Sequence, residues 1–179
     1  MTKSIIRTAL TLALVCAGLG HAQSTTGTTT LSVTVGPEAS LAVGTGTVLR
    51  SVGSSFASYS GTTNLTYRIR TIISGMITLQ VTTDFSPQGG PSVAAPPTPG
   101  DTLTYACAVS PPGTNGSVTA CIAGTQASSG TATGVATFGP DARSLTNGNT
   151  GTVNWTLSND PAYKAGAYSA TVTFTISAS

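Results

Sequence analysis

Residues 167–177 read Ala-Tyr-Ser-Ala-Thr-Val-Thr-Phe-Thr-Ile-Ser, and the fold is decided there. Tyr168, Ala170, Val172, Phe174 and Ile176 fall on one side at period two, and Ser169, Thr171, Thr173, Thr175 and Ser177 on the other. Successive side chains of a strand point to opposite faces, so this alternation marks a β-strand with one face buried and one wet. The wet face is built from Ser and Thr rather than charge. Thr also stiffens an extended backbone, because its branched Cβ restricts χ1.

Working outward, the same pattern recurs. In residues 64–71, Leu65, Tyr67 and Ile69 oppose Thr66, Arg68 and Arg70; in 76–83, Ile77, Leu79 and Val81 share a face. Leu103, Tyr105 and Cys107 alternate likewise, as do Val153, Trp155 and Leu157. Shorter candidates lie at 31–35, 39–43, 47–52 and 133–138. After residue 22 no stretch places apolar residues at helical spacing over three turns. Turn formers cluster at 44–46, 86–90, 111–116, 147–151 and 159–161. About nine short strands with such punctuation predict an all-β chain folded as a single antiparallel β-sandwich over residues 31–179, with a small closed barrel as the alternative. Residues 23–30 read as a flexible Thr/Gly/Ser tail and 87–101 as a Pro/Gly-rich loop. Residues 123–134 read as a long loop or a weak edge strand.

The first 22 residues read as a cleaved signal peptide. Lys3 and Arg7 precede an apolar run from 9 to 20, and Gly20-His21-Ala22 supplies small residues for cleavage before Gln23. Such a leader implies a secreted, periplasmic or cell-surface protein, with no integral membrane segment after cleavage. Cleavage also removes Cys16, leaving Cys107 and Cys121 as an expected disulfide in an oxidising compartment. It removes His21, the one histidine of the chain, and with it any Ser-His-Asp or Cys-His centre. Without Lys3 and Arg7, the seven basic residues fall to five, against five acids. A neutral chain without a basic run argues against nucleic acid as a partner.

Chemistry-bearing residues are few, and no catalytic, cofactor-binding or metal-ligating set emerges. Asp101, Asp141 and Asp160 adjoin Gly or Pro in expected turns, where Asp bonds its own backbone. Asn147, Asn149, Asn159 and Asp160 offer oxygen ligands but lack the acidic spacing of a calcium loop. Arg68 and Arg70 share one face of a strand; they read as an anion clamp or, more plainly, as solvated charges that guard a sheet edge. Tyr59, Tyr163 and Phe56 lie in less regular segments and are candidate exposed ligand contacts, whereas Trp155 reads as core. Asn64, Asn115 and Asn154 fit the glycosylation acceptor pattern.

The segment Asp160-Pro161-Ala162-Tyr163-Lys164-Ala165-Gly166-Ala167-Tyr168 runs through a Gly-x-Tyr corner into the last strand. It resembles the ending of bacterial exported surface β-sandwiches of the spore-coat-U-like and fimbrial-subunit-like kind, and is similar to WxL-like domains, for which Trp155-Thr156-Leu157 is a local match. The resemblance implies an immunoglobulin-like or pilin-like sandwich and a role in assembly or adhesion rather than catalysis. Its partners would be copies of itself, other surface proteins or polysaccharide. Under that reading Leu31, Val33 and Val35, following a flexible tail, are a candidate donor strand for a neighbouring subunit. The plainer reading makes them the first strand of their own sandwich, since sequential strands usually pair locally. The alternative function is a carbohydrate-binding or adhesive module.

Overall fold

Every segment with strong period-two alternation is a strand of the protein. The computed structural model describes residues 26–51, 53–93, 103–113 and 116–179. The leader expected at 1–22, with Cys16 and His21, lies outside the described residues, as do residues 23–25, Val52, Asp101 and Asn115. Ten strands occur among the described residues: β1 (Glu38–Val43), β2 (Arg50–Ser51), β3 (Tyr59–Arg70), β4 (Gly75–Ser86), β5 (Leu103–Val109), β6 (Val118–Ala120), β7 (Thr125–Gln126), β8 (Thr133–Phe138), β9 (Asn149–Leu157) and β10 (Ser169–Ala178). All ladders are antiparallel. One sheet runs β1-β3-β9-β5-β7, with β2 also on β3; the other runs β10-β4-β8-β6. The two pack as the β-sandwich expected from the alternation.

The core lies between the sheets. Leu65, Tyr67 and Ile69 of β3 and Val153, Trp155 and Leu157 of β9 are buried, as are Ile77, Leu79 and Val81 of β4 and Val135 and Phe138 of β8. Each such side chain contributes about 1.5–3 kcal/mol by leaving water. Aromatic contacts join the layers: Tyr67 meets Phe138 at 5.0 Å between centroids, and Trp155 meets Phe174 edge-on at 6.4 Å. Cys107 of β5 and Cys121, just past β6, form the expected disulfide and tie one sheet to the other.

Polar atoms within the core are paired. Trp155 Nε1 donates to Thr63 Oγ1 at 2.8 Å, and that hydroxyl lies 2.6 Å from Thr47 Oγ1. The Tyr67 hydroxyl donates to the Ser110 carbonyl, and Tyr105 donates to Thr133 Oγ1 at 2.7 Å. Burial pushes the Tyr67 phenol up to about 12 and raises that of Tyr105, the Thr133 bond acting the other way.

Several sequence expectations change. Residues 31–35 belong to no strand, because alternation alone makes no ladder without a paired backbone. The strand expected over 47–52 shrinks to Arg50–Ser51. Tyr168 stands just before β10 instead of within it. Its ring lies against Gly90, where even a Cβ would come within 2.3 Å of Cε1, and its hydroxyl donates to the Lys164 carbonyl at 2.6 Å. The small-residue stretch 123–134 contains the two-residue edge strand β7.

The chain divides into two units, Met1–Thr34 and Val35–Ser179, and all ten strands belong to the second. Of the first unit, residues 26–34 are described; they form no strand, and Leu31 and Val33 are 92% and 85% exposed.

Candidate functional site

The most chemically distinctive surface is at the C-terminal end of β3. Arg68 and Arg70 point outward there because Leu65, Tyr67 and Ile69 take the core face. On one side, β1 pairs Ser40 with Arg68 and Glu38 with Arg70. On the other, a turn is fastened to the strand. Thr71 Oγ1 accepts from Ala142 N at 2.9 Å and donates to the Gly139 carbonyl at 2.9 Å. Ser144 N donates to the Ile69 carbonyl at 2.9 Å, and Ile69 N returns a bond to Ser144 Oγ at 2.9 Å. This docking makes an antiparallel bridge between Arg70 and Arg143.

Three arginines, Arg68, Arg70 and Arg143, therefore line one open hollow of about 380 Å³. The one acid in its wall is Glu38, whose Oε2 lies 2.9 Å from an Arg70 terminal nitrogen. Arg70 Nε also donates to the Gly36 carbonyl at 2.7 Å, and Arg68 Nε donates to the Thr146 carbonyl at 3.2 Å. Arg68 and Arg143 have no acidic partner among the described residues. The plainer sequence reading, charges that guard a sheet edge, does not fit this position. Both flanks of β3 are occupied where Arg68 and Arg70 stand.

The other candidate contacts are not gathered at this hollow. Tyr59 begins β3, nine residues before Arg68 and so about 30 Å away along the strand. It is half-buried and packs in part against the core. Tyr163 is half-buried in the connection before β10. Phe56 is 61% exposed, in a left-handed turn with φ of 58°. Trp155 is buried as expected. The sequons at Asn64 and Asn154 sit on outward strand faces.

Most polar turn residues have structural duties. Asp84 accepts from Phe85 N, Val93 N and the Ser92 hydroxyl, bracketing the loop after β4. Asp160 Oδ1 accepts from Ala162 N at 2.8 Å. Asn149 is buried; it accepts from Leu145 N and donates to the Pro111 carbonyl. Among the described residues no three His, Cys, Asp or Glu side chains lie together. A second hollow, of about 310 Å³, lies over residues 108–110 and 150–152 and carries no charged side chain.

A different kind of feature lies at the edge of the four-stranded sheet. β10 is a ten-residue edge strand without a charge or a proline. Its inward row, Ala170, Val172, Phe174 and Ile176, is only half-buried against the core. The other sheet margins are β1, which carries the Glu38–Arg70 pair, and the much shorter β2, β6 and β7.

Comparison with known proteins adds no relative: no family model matches the chain, and no curated protein or solved structure is significantly similar to it.

Proposed function

We propose that the chain is a non-catalytic exported structural subunit that assembles by strand addition. Residues 31–35 of one copy would lie along the open edge of β10 in the next. One observation carries this reading: a long edge that lacks the usual protection occurs in the same chain as an unpaired strand-like segment. Natural sheets blunt their edges with charge, proline or brevity, and β10 has none of these. Leu31, Val33 and Val35 are 92%, 85% and 59% exposed, although they alternate with Ser32 and Thr34 as a half-buried strand does. In strand addition, main-chain bonds supply affinity and alternate side chains supply fit. Here the three apolar donors would cover the half-buried row of β10.

The test is a comparison of the chain with its Leu31→Lys/Val33→Lys double variant by light scattering and electron microscopy. The expected result is concentration-dependent oligomers or filaments for the unaltered chain. The variant should be a folded monomer with an unchanged circular dichroism spectrum. A chain that stays monomeric at all concentrations overturns the proposal, and so does a variant that assembles as well as its parent. If the variant fails to fold, the segment belongs to its own sandwich and the donor reading is wrong. A synthetic peptide spanning residues 29–37 provides a second readout, since it should cap β10 and block assembly.

A further inference from the structure

The hollow at the end of β3 carries an inference independent of strand addition. Of the five basic residues that follow residue 22, three line this one hollow. Directly opposed residues in an antiparallel pair bring their Cβ atoms about 5 Å apart, and like charges placed so are destabilising. Arg70 and Arg143 are opposed in that way. Glu38 offsets one charge, but its pair with Arg70 is solvent-exposed, and exposed pairs contribute little. Arg68, two residues along the same face, adds a third cation. The fold thus spends three buried or part-buried hydrogen bonds on a turn that holds Arg143 against Arg70.

The geometry points to a binding site for an oxyanion carried by an acidic polysaccharide, held by Arg68, Arg70 and Arg143. A guanidinium presents its donors in a planar fork that matches a carboxylate, sulfate or phosphate group. An anion placed among the three would turn their mutual repulsion into attraction. Ser40 and Ser144 lie in the same wall, and their hydroxyls can donate to a sugar oxygen, that of Ser144 while it accepts from Ile69 N. A peptide strand is served less well, because the hollow opens on a sheet face whose backbone is already paired. Nucleic acid is disfavoured too: the hollow has no aromatic side chain for base stacking, and the rest of the surface adds no basic track.

The experiment is equilibrium binding of the full chain to three oligosaccharide probes: oligogalacturonate for carboxylate, sulfated dextran for sulfate and plain dextran as the neutral control. An ionic strength of about 10 mM keeps screening weak. Saturable binding of either acidic probe and not of dextran is expected, and the preferred probe identifies the oxyanion. Arg143→Gln and Arg68→Gln should each weaken binding about tenfold or more, as loss of a charge-assisted bond does. Arg50→Gln, at the other end of β3, should leave binding unchanged. Arg143→Gln should melt no lower than its parent, because a repulsion is removed; if it misfolds, Arg68→Gln carries the test. The site is overturned if neither acidic probe binds, if Arg50→Gln weakens binding equally, or if single-stranded DNA binds as tightly as the saccharides.

Discussion

Tyr67 and Tyr105 place phenol groups inside an otherwise apolar layer, and each satisfies its hydroxyl with a neutral oxygen. Burial disfavours the phenolate, which raises both above the ordinary value of 10.0, Tyr67 to about 12. The sign of the stability effect follows directly. Well below pH 10 both rings stay protonated whether the chain is folded or not, so they leave stability unaffected there. Between pH 10 and about 12 the unfolded chain releases the Tyr67 proton while the folded protein keeps it. Stability should therefore fall as pH rises through that window, by about 1.4 kcal/mol per pH unit from Tyr67 alone, with Tyr105 acting in the same direction. Urea midpoints measured from about pH 9 to 11.5 check this, and Tyr67→Phe should show a shallower decline. An equally steep decline in the variant would place the alkaline sensitivity elsewhere. The inward placement of both tyrosines was legible from alternation alone. Their hydroxyl partners were not, because Ser110 reaches Tyr67 only once β9 has brought β5 into the sheet of β3, and Thr133 reaches Tyr105 only after the sheets have packed. The arginine hollow divides in the same way. Arg68 and Arg70 could be read on one face, but Arg143, 73 residues beyond Arg70, joins them through the docking of a turn.

Among the elements, the long strands and the six-residue β1 and β8 were legible, and the two- and three-residue strands were not. β3, β4, β5, β9 and β10 each carry three or more alternating apolar residues, enough to separate period two from chance. β6 is three residues long and β7 two, too brief for any period to show. The beginning of β3 was missed for another reason: between Tyr59 and Leu65 its core-facing positions are Gly61 and Thr63, the latter a polar side chain paired with Trp155. β8 breaks alternation because Val135 is an extra residue opposite the Ile77–Thr78 step of β4, so that Val135 and Ala136 are both buried. β6 pairs only with β8; Val118 packs partly against the core, and the disulfide from Cys121 ties its end to β5. Closing a loop over a separation of 14 residues stabilises by roughly 3 kcal/mol in the chain-entropy model. The Cys107→Ser/Cys121→Ser double variant should lose stability of about that size in urea unfolding. Reduction of the parent should match it. Loss of less than about 0.5 kcal/mol, at the lower end of measured disulfide effects, would mean that β6 is held by its ladder to β8 and the packing of Val118.

For the whole molecule, the decisive property is that the sandwich is unevenly finished. From β3 onward successive strands alternate between the two sheets, so each layer is built from segments distant in sequence. At β3, β9 and β4 this buries the inward rows almost completely. At β10 it does not: Val172, Phe174 and Ile176 are covered on the core side and left partly open at the margin. An isolated copy therefore forgoes hydrophobic stabilisation that another strand would supply. If residues 31–35 of a neighbouring copy provide that strand, assembly and stability are linked, since whatever binds only the folded state raises its melting point by mass action. A copy concentration near 100 times the dissociation constant adds about 2.7 kcal/mol. For a domain of this size that corresponds to a shift of roughly 5–10 °C. Calorimetry on dilute and concentrated samples of the full chain should show the shift, and Leu31→Lys/Val33→Lys should abolish it while keeping the dilute melting point. A melting point independent of concentration in a chain that nevertheless oligomerises would place the contact away from β10. The half-covered row would then be only the ordinary margin of a small sandwich.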